Sequence, residues 1–415
     1  MRAAAATLAA TLAAALTAQH EPGLTRAAAE ALLPQLVAEH RDAARRAGRD
    51  TLPTPTTTLT ADAAPPMLRL GDYSMPFLLL QKGERPAGGW PLFLCLHGGG
   101  GNAEASGPHG WDVNDREWRA QQTLWRRRYP SPGLYFIPRM ADDRRGRWYH
   151  DHNQLAFEQV IREAILFHGV DANRVYLMGI SEGGYGAIRF AGNRPDRFAA
   201  TGAMAAAEPA STSPPENMRN VATRIDIGEQ DTMFDRVGLA RRLGERLAEL
   251  QQADADGYDF VVHVQAGRGH GIDYSLTPAW LVTKVRNPRP RRVPWLVTPF
   301  DTRVALQHYW LALREPPAVM PLFIDATIEQ NRLVIRAERR DEAAATAALT
   351  GTLLVRLDDQ LADLDRPLSL TVNGVDRGEV RVQRRREVLA RTLAERDDPA
   401  LAFSAELEVD LAAPR

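Results

Sequence analysis

Cysteine is almost absent from this sequence, since Cys95 is the only one among 415 residues. A single cysteine excludes an internal disulfide, so the chain must be stabilised by its packed interior. With 44% hydrophobic and 25% charged residues, a chain of this length can bury a large core, and we expect more than one domain.

The sequence also lacks an excess of charge of either sign. Its 51 Lys and Arg residues balance 52 Asp and Glu residues, which gives a formal net charge of -1. Nucleic-acid-binding proteins carry a strong basic surface, so no nucleic-acid partner is predicted. The short basic runs at 126–128 and 289–292 are interpreted as solvated patches.

No apolar run is long enough to span a bilayer stably. The Ala/Leu-rich segment after Met1-Arg2 resembles a short secretory signal within residues 1–20, with Ala13-Ala14-Ala15 at the candidate cleavage site. Export to the periplasm or the medium is therefore favoured. The alternative is an alanine-rich helix of a cytoplasmic protein, because Arg2 is the single basic residue before the apolar run and the basic start of a signal peptide is therefore weak.

Clusters at metal-ligand spacing are lacking as well. His150 and His152 flank Asp151, but no third ligand follows at a suitable distance along the chain. We therefore predict no metal and no other cofactor.

A serine between glycines is the most informative feature that is present. Gly179-Ile180-Ser181-Glu182-Gly183 follows the apolar run 174–178 and precedes a helix-forming segment. A serine hydroxyl is a weak nucleophile until a base and an anion site reach it, and a sharp strand-to-helix turn exposes it to both. Ser181 is therefore the predicted nucleophile.

A second glycine-rich segment follows the apolar strand predicted at 90–96. His97 is followed there by four glycines. Because glycines raise the entropic cost of folding, we expect that the structure or the function requires them at this place. Backbone N–H groups without neighbouring Cβ atoms can turn toward a developing oxyanion. The predicted donors are the amide of Gly99 or Gly100 and the amide of Glu182, while His97 is interpreted as a structural residue.

The catalytic acid is expected in the loop after the strand predicted at 221–228, because open parallel sheets place their chemistry at the carboxyl ends of strands. Asp231 is the first choice in this loop. Asp226, within the strand, and Asp235, at the start of the next helix, remain alternatives.

The general base is expected after the following strand, predicted at 258–264. His270 lies there between glycines, whereas His263 lies in mid-strand and is interpreted as a packed or edge histidine. His270 would take the proton of Ser181, and Asp231 would orient the imidazole. Turnover is then expected to rise through roughly pH 6–8.

Three segments together resemble the α/β-hydrolase superfamily: the glycine-rich segment 97–102, the segment 174–187 around Ser181 and the loop 267–271 around His270. Within it, they look like bacterial predicted esterases and like prolyl-oligopeptidase-like and polyhydroxybutyrate-depolymerase-like hydrolases, over residues 70–285. The resemblance implies an α/β fold with a doubly wound, mostly parallel sheet. It also implies hydrolysis of a small or polymeric carboxylic ester by a Ser-His-Asp triad through an acyl-enzyme intermediate.

Two alternatives to ester hydrolysis stay open: a serine peptidase of the prolyl-oligopeptidase-like type, and a non-catalytic scaffold used for binding. Glu182 departs from the pattern, because many relatives carry Met, Gln or Ala there. Its carboxylate is expected either to discourage anionic substrates or to point to solvent. From the place of their loop in relatives, Trp148 and Tyr149 are predicted walls of the substrate pocket, together with Tyr185.

The chain divides into four predicted parts. Residues 1–20 are the signal peptide, 21–66 a helix and a Pro/Thr-rich linker, 67–287 the catalytic domain and 295–415 a β-rich domain. Within the helix, Pro34 is expected to cause a kink or a break.

The C-terminal part is predicted to be a smaller all-β, sandwich-like domain, with a hairpin turn at Asn373-Gly374. We expect a structural or assembly role for it, which would include a homo-oligomer. A chain that ends near Val293 is expected to keep activity on a small soluble ester but to lose thermal stability.

Overall fold

The computed structural model describes residues 23–59, 64–340 and 349–412. The predicted signal peptide therefore lies outside the described residues. Within these three ranges, no helix is both long enough and apolar enough to cross a membrane.

The larger unit is built on an eight-stranded sheet in the order β1-β2-β4-β3-β5-β6-β7-β8. The strands β1 and β2 are antiparallel to their neighbours, and all other pairs are parallel. This is the sheet of the α/β-hydrolase fold, so the predicted fold class is confirmed. The strands are β1 (Met67–Leu70), β2 (Tyr73–Lys82), β3 (Trp90–Leu96), β4 (Gly133–Pro138), β5 (Val170–Ile180), β6 (Ala200–Met204), β7 (Ala222–Gly228) and β8 (Phe260–Gln265).

Both faces of this sheet are covered, and β3, in the middle of the sheet, is apolar at every position. Along β3, Leu94 and Leu96 pack into the core on one face, while Phe93 and Cys95 pack into the core on the other. Side chains of a strand alternate between faces, so a strand between two helical layers needs apolar residues throughout. Burial also raises the pKa of the Cys95 thiol.

The helices that cover the sheet include the segment that begins at the predicted nucleophile. These helices are α2 (Asp112–Arg128), α3 (Asp151–Phe167), α4 (Glu182–Asn193), α5 (Arg236–Ala253) and α6 (Leu276–Leu281), whereas α1 (Arg26–Arg46) comes before the sheet in the chain and does not cover it. Short 3₁₀ helices lie at Pro195–Arg197, Pro215–Asn220, Met233–Asp235 and Pro399–Leu401. Of the kink or break expected at Pro34, the break does not occur, since α1 is continuous through this residue.

The C-terminal unit contains a five-stranded sheet in the order β18-β17-β15-β14-β9 and a four-stranded sheet in the order β12-β13-β16-β19. Side chains from both sheets form one core, as in the predicted smaller β domain. Its elements are β9 (Arg292–Val297), β10 (Pro299–Phe300), β11 (Arg303–Val304), β12 (Gln307–His308), β13 (Leu311–Leu313), β14 (Leu322–Glu329), β15 (Arg332–Arg339), β16 (Thr352–Leu357), β17 (Leu368–Val372), β18 (Val375–Val380), α7 (Arg386–Arg396) and β19 (Ala405–Asp410).

Two details of this unit differ from the sequence-based prediction. The predicted boundary at residue 295 falls inside β9, which pairs with β14. The helix α7 lies within a unit that was expected to contain strands alone. The predicted hairpin is present, because Asn373 and Gly374 both have positive φ angles, 50° and 80°, and connect β17 to β18.

The helix α1 packs on α7 rather than on the large sheet. Leu36 of α1 contacts Leu389 and Leu393 in a small apolar cluster. Beside it, His40 Nε2 lies 2.5 Å from the buried carboxylate of Asp397. This packing accounts for the continuity of α1 at Pro34, because contacts along the helix offset the one lost backbone hydrogen bond.

Candidate active site

Ser181 lies at the turn between β5 and α4, as predicted. Its φ of 53° and ψ of -113° are strained for a residue with a Cβ atom. The turn is tight because a Cβ atom on Gly179 would lie 2.1 Å from the carbonyl oxygen of Gly183. Glycine is therefore required on the strand side of the serine for the helix to start where it does.

The structure brings His270 and Asp231 to this serine. Nε2 of His270 lies 3.0 Å from Ser181 Oγ, and Nδ1 lies 2.7 Å from Asp231 Oδ2. A carboxylate only accepts hydrogen bonds, so Nδ1 donates to it and Nε2 is left to accept the serine hydroxyl. The His270 side chain is 46% exposed and that of Asp231 is 2% exposed, which places a buried acid behind an accessible imidazole.

The alternative acids do not reach His270. Asp226 lies in β7 and bonds the other candidate, His263, with 2.8 Å between Oδ1 and Nδ1. Asp235 precedes the first residue of α5, and its side chain accepts a hydrogen bond from Arg242 at 2.5 Å. The two rejected residues Asp226 and His263 thus form a separate pair along the sheet.

Arg236 belongs to the site and was missed by the sequence interpretation. Its Nη1 donates to Asp231 Oδ1 at 2.9 Å, and its Nε donates to the Tyr185 hydroxyl at 2.6 Å. All but a small part of this arginine is buried. Nothing in the sequence marked it, because an arginine at the start of a helix is ordinary; only the tertiary fold places it against the acid.

The glycine-rich loop after β3 lies against the nucleophile. A Cβ atom on Gly98 would lie 3.5 Å from Ser181 Cβ. The Gly100 amide, however, already donates to Asn114 Oδ1 at 3.1 Å, so Gly100 is not free to act as an oxyanion donor. Within the described ranges, no acceptor is found for the amides of Gly99 and Glu182. Gly99 has a φ of 97°, which only glycine adopts easily.

A buried polar chain holds this loop in place. Asn114 Nδ2 donates to the Gly100 carbonyl at 3.0 Å and to Asp143 Oδ1 at 2.6 Å. Arg139 donates to both oxygens of Asp143, at 2.6 and 2.8 Å. Burial raises the pKa of Asp143, but the hydrogen bonds from Arg139 and Asn114 outweigh it and hold that pKa below its usual range.

The Glu182 side chain turns into the protein, so the expectation that it points to solvent is wrong. It is 2% exposed, and one carboxylate oxygen accepts a hydrogen bond from Arg147. Burial raises the pKa of Glu182 to about 7, against the opposing effect of Arg147. The other oxygen, Oε1, is buried and has no hydrogen-bond partner among the residues that the structure describes.

His97 is a structural residue in this site. The Met140 amide donates to its Nε2 at 3.0 Å, and its Nδ1 lies 2.5 Å from the Gly98 carbonyl oxygen. Burial lowers the pKa of His97 to about 4, so the imidazole stays neutral. A neutral ring can satisfy one donor and one acceptor at once, which is its function here.

The three predicted pocket residues differ in position. Trp148 is completely buried and its Nε1–H donates to the His97 carbonyl at 3.0 Å, so its prediction as a pocket wall is wrong. It packs under α4, where a Cβ atom on Gly186 would lie 2.7 Å from Trp148 Cβ. Tyr149 is half-buried beneath the guanidinium of Arg189, 3.8 Å from the ring centre. Tyr185 is half-buried one helical turn after Ser181.

In the described part of the chain, no group of three His, Cys, Asp or Glu side chains could hold a metal ion. His150 bonds Asp301, and His152 stacks on Tyr73 with 4.1 Å between ring centres. A cavity of about 1190 Å³ lies at the amino ends of β6 and β7, lined by Ala199, Ala222 and several β-domain residues. It is at the opposite edge of the sheet from Ser181, so its size does not make it the active site.

No protein-family model matches this chain, and no curated protein is significantly similar to it. Solved structures that it resembles include a thermostable esterase (20% identity, TM-score 0.35, 51% of this chain and 56% of that one). Others are carboxylesterases from Bacillus cereus (16%, 0.34, 50% and 92%) and Mesorhizobium loti (18%, 0.36, 53% and 99%). The chain thus spans about half of the thermostable esterase. At these TM-scores the comparisons carry no argument about function.

Proposed function

We propose that this protein is a serine hydrolase that cleaves carboxylic esters. One observation carries the proposal: a strained, accessible Ser181 lies within hydrogen-bond distance of His270, which in turn contacts the buried Asp231. This arrangement of nucleophile, base and orienting acid recurs in hydrolases of unrelated fold and is recognised by its geometry.

In the proposed mechanism, His270 takes the Ser181 proton as Oγ attacks the ester carbonyl carbon. The carbonyl oxygen gains negative charge and accepts hydrogen bonds from the amides of Gly99 and Glu182. His270 then gives its proton to the leaving alcohol, which leaves an acyl group on Ser181. A water molecule, deprotonated by His270, attacks this acyl-enzyme and releases the acid.

The experiment that tests this proposal combines active-site labelling with substitution. A fluorophosphonate should modify Ser181 covalently, and Ser181→Ala should lower kcat/KM by at least about a thousandfold. Exposed Ser211 supplies the matched control, since Ser211→Ala should change neither result. A folded chain that the reagent does not label would support a non-catalytic scaffold instead.

The choice between ester and peptide substrates needs its own measurement. p-Nitrophenyl esters of graded acyl length should be hydrolysed, whereas aminoacyl-prolyl amides should be poor substrates. Clear amide turnover with weak ester turnover would assign the chain to the peptidases and overturn the ester proposal.

We also propose that the chain is exported, which its Ala/Leu-rich residues 1–20 support. Expression with a C-terminal tag and mass measurement of the product should reveal loss of a segment ending near residue 15. An intact amino terminus on protein recovered from the cytoplasm would contradict export.

A further inference from the structure

A second cavity lies at the junction of the two units, far from Ser181. Its volume is about 270 Å³, and it is bounded by α3 and the end of α4 on one side and by β11, β12 and α7 on the other. Ser181 stands at the other end of α4, whose 12 residues span about 18 Å. We call this space the junction cavity, and it is separate from the candidate active site.

The walls of the junction cavity carry an excess of positive charge. Four arginines line it, and Glu158 is the one carboxylate among its lining residues. Glu158 is already bonded by Arg197. The four arginines are Arg194, Arg197, Arg303 and Arg396.

One further arginine of the four has a carboxylate partner. Arg396 donates to Asp196 Oδ2 at 2.6 Å, behind the cavity wall. In the described residues, no carboxylate lies within ion-pair distance of Arg194 or Arg303. Two guanidinium groups of the cavity therefore have no ion-pair partner among the described residues.

Arg194 is the more demanding of these two cations, because it is largely enclosed. Its hydrogen bond to Gln154 Oε1 is long, at 3.4 Å. Burial, together with repulsion by Arg396 and Arg303, lowers its pKa to about 10 against the attraction of Asp196. An anion that binds beside such a buried arginine stabilises its charged form and offsets the cost of its burial.

Unsatisfied donors around the cavity point the same way. Arg197 Nη1 and Arg396 Nε are buried and have no hydrogen-bond acceptor in the described structure. Arg197 Nη1 has one carboxylate oxygen at ion-pair distance, Asp398 Oδ2 at 3.9 Å, which is too far for a hydrogen bond. Buried N–H groups of charged side chains are nearly always satisfied by protein, water or an ion. A bound group that accepts hydrogen bonds would therefore satisfy donors that the protein leaves unpaired in this region.

The remaining walls are apolar, which restricts the type of anion. Phe157, Phe190 and Phe198 form the floor, and Val304 and Leu306 line the side contributed by the C-terminal unit. The volume is slightly below that of pockets for drug-sized ligands. An anion with a small apolar body fits both the charge and the lining better than a fully hydrated inorganic ion.

We propose that the junction cavity binds a small organic carboxylate. Its carboxylate group would be held by Arg194 and Arg303, and its apolar body would contact the phenylalanine floor. The ligand would touch both units at once, so it would stabilise the folded chain in proportion to its occupancy. This proposal does not depend on hydrolase activity.

Calorimetric titration of the full chain with benzoate tests the proposal. One equivalent should bind, and the neutral isostere benzamide should bind at least about tenfold more weakly because it lacks the charge. Arg194→Gln and Arg303→Gln should each weaken benzoate binding by about tenfold. Arg332 is an exposed arginine on β15, and no carboxylate of the described residues lies within ion-pair distance of it. Arg332→Gln is therefore the control and should bind normally.

Several outcomes would overturn the inference. Equal benzoate affinity in the wild type and in Arg303→Gln would place the ligand elsewhere, and this exposed residue can be replaced without disturbing the core. Phosphate binding more tightly than benzoate would contradict the need for an apolar body. Absence of benzoate binding at millimolar concentration would show that water alone satisfies the arginines. Circular dichroism of Arg194→Gln checks that this variant is folded.

Discussion

Asp231 is held from two sides, by His270 on one carboxylate oxygen and by Arg236 on the other. A buried acid with a single partner could rotate or move away from the imidazole. Arg236 prevents this, and because it also bonds Tyr185 on α4, it links the acid to the helix that starts at the nucleophile. Its permanent charge, in turn, reduces the field that Asp231 exerts on the imidazolium.

Replacement of Arg236 should therefore affect both rate and pH dependence. Arg236→Gln should lower kcat/KM by roughly ten- to a hundredfold, the effect of losing a hydrogen bond to a charged group. The acid limb of the pH–rate profile should move to higher pH, because an uncompensated Asp231 stabilises the imidazolium better. Arg242→Gln, on the same helix but bonded to exposed Asp235, is the control. Unchanged pH dependence would reduce Arg236 to a packing residue.

Glu182 makes stability depend on pH, because its folded pKa is about 7 against an ordinary value of 4.5. Between these values the unfolded chain loses the proton while the folded chain keeps it. Stability is therefore greatest below about pH 4.5 and falls as pH rises to about 7, by at most roughly 3 kcal/mol.

Glu182→Gln should remove this dependence. At pH 8 the variant should be more stable than the wild type, whereas at pH 4 the two should be alike, as measured by urea unfolding. Glu104→Gln, at an exposed position, should behave as the wild type at both pH values. A variant less stable at pH 8 would mean that the ion pair with Arg147 outweighs the burial of the carboxylate.

At the scale of elements, backbone contacts set how closely α4 can approach β3 and β5. A Cβ atom on Gly183 would lie 2.3 Å from the Leu96 carbonyl oxygen, and neither atom belongs to a flexible side chain. The helix can approach the sheet this closely only with glycine at that position. Gly179 and Gly183, on either side of Ser181, are thus packing residues as well as turn residues.

Gly183→Ala should force α4 away from β3 and destabilise the protein by about 2 kcal/mol or more. Fluorophosphonate labelling should fall with it, because Ser181 is carried at the start of that helix. Gly88→Ala is the matched control, since a Cβ atom there would meet nothing within 4 Å. Native melting temperature and labelling in Gly183→Ala would show that the contact relaxes easily.

For the whole molecule, buried ion pairs connect the large sheet unit to the C-terminal unit. Arg286 Nη2 donates to Asp398 Oδ2 at 2.8 Å, and both side chains are almost completely buried. Arg396 and Asp196 form a second pair across the same junction. Removing one partner of a buried pair costs about 3–5 kcal/mol, so these two pairs together are comparable to the stability of a whole domain.

The contacts between the two units change the expectation for a chain that ends near Val293. Such a truncation removes Asp398 and Arg396 together with Phe300, which packs on Phe190. Apolar and charged groups of the junction then become exposed to water, and β9 is cut. The truncated chain should be insoluble or unfolded rather than merely less stable. Soluble expression of the truncated chain, with wild-type kcat/KM on a small ester, would restore the simpler view of two independent domains.

The sequence by itself determined the parts of this protein that depend on local geometry. The turn at Ser181 requires small neighbours, β3 requires apolar residues at every position, and the Asn373-Gly374 hairpin requires positive φ angles. Each requirement involves residues that are close together in the sequence, so it can be recognised from a local sequence pattern. The order of strands, loops and helices also located His270 and Asp231, because parallel strands bring their carboxyl ends to one edge.

Only the tertiary structure decided which groups meet across the chain. The burial of Trp148, the inward turn of Glu182 and the loss of the Gly100 amide to Asn114 depend on contacts between separate segments of the chain. Arg236 and Asp231 are only five residues apart, but the fold sets the path of the loop that brings them together. The same holds for the packing of α1 on α7 and for the arginines of the junction cavity. Long-range contacts follow from the summed packing of the whole chain, which no local pattern contains.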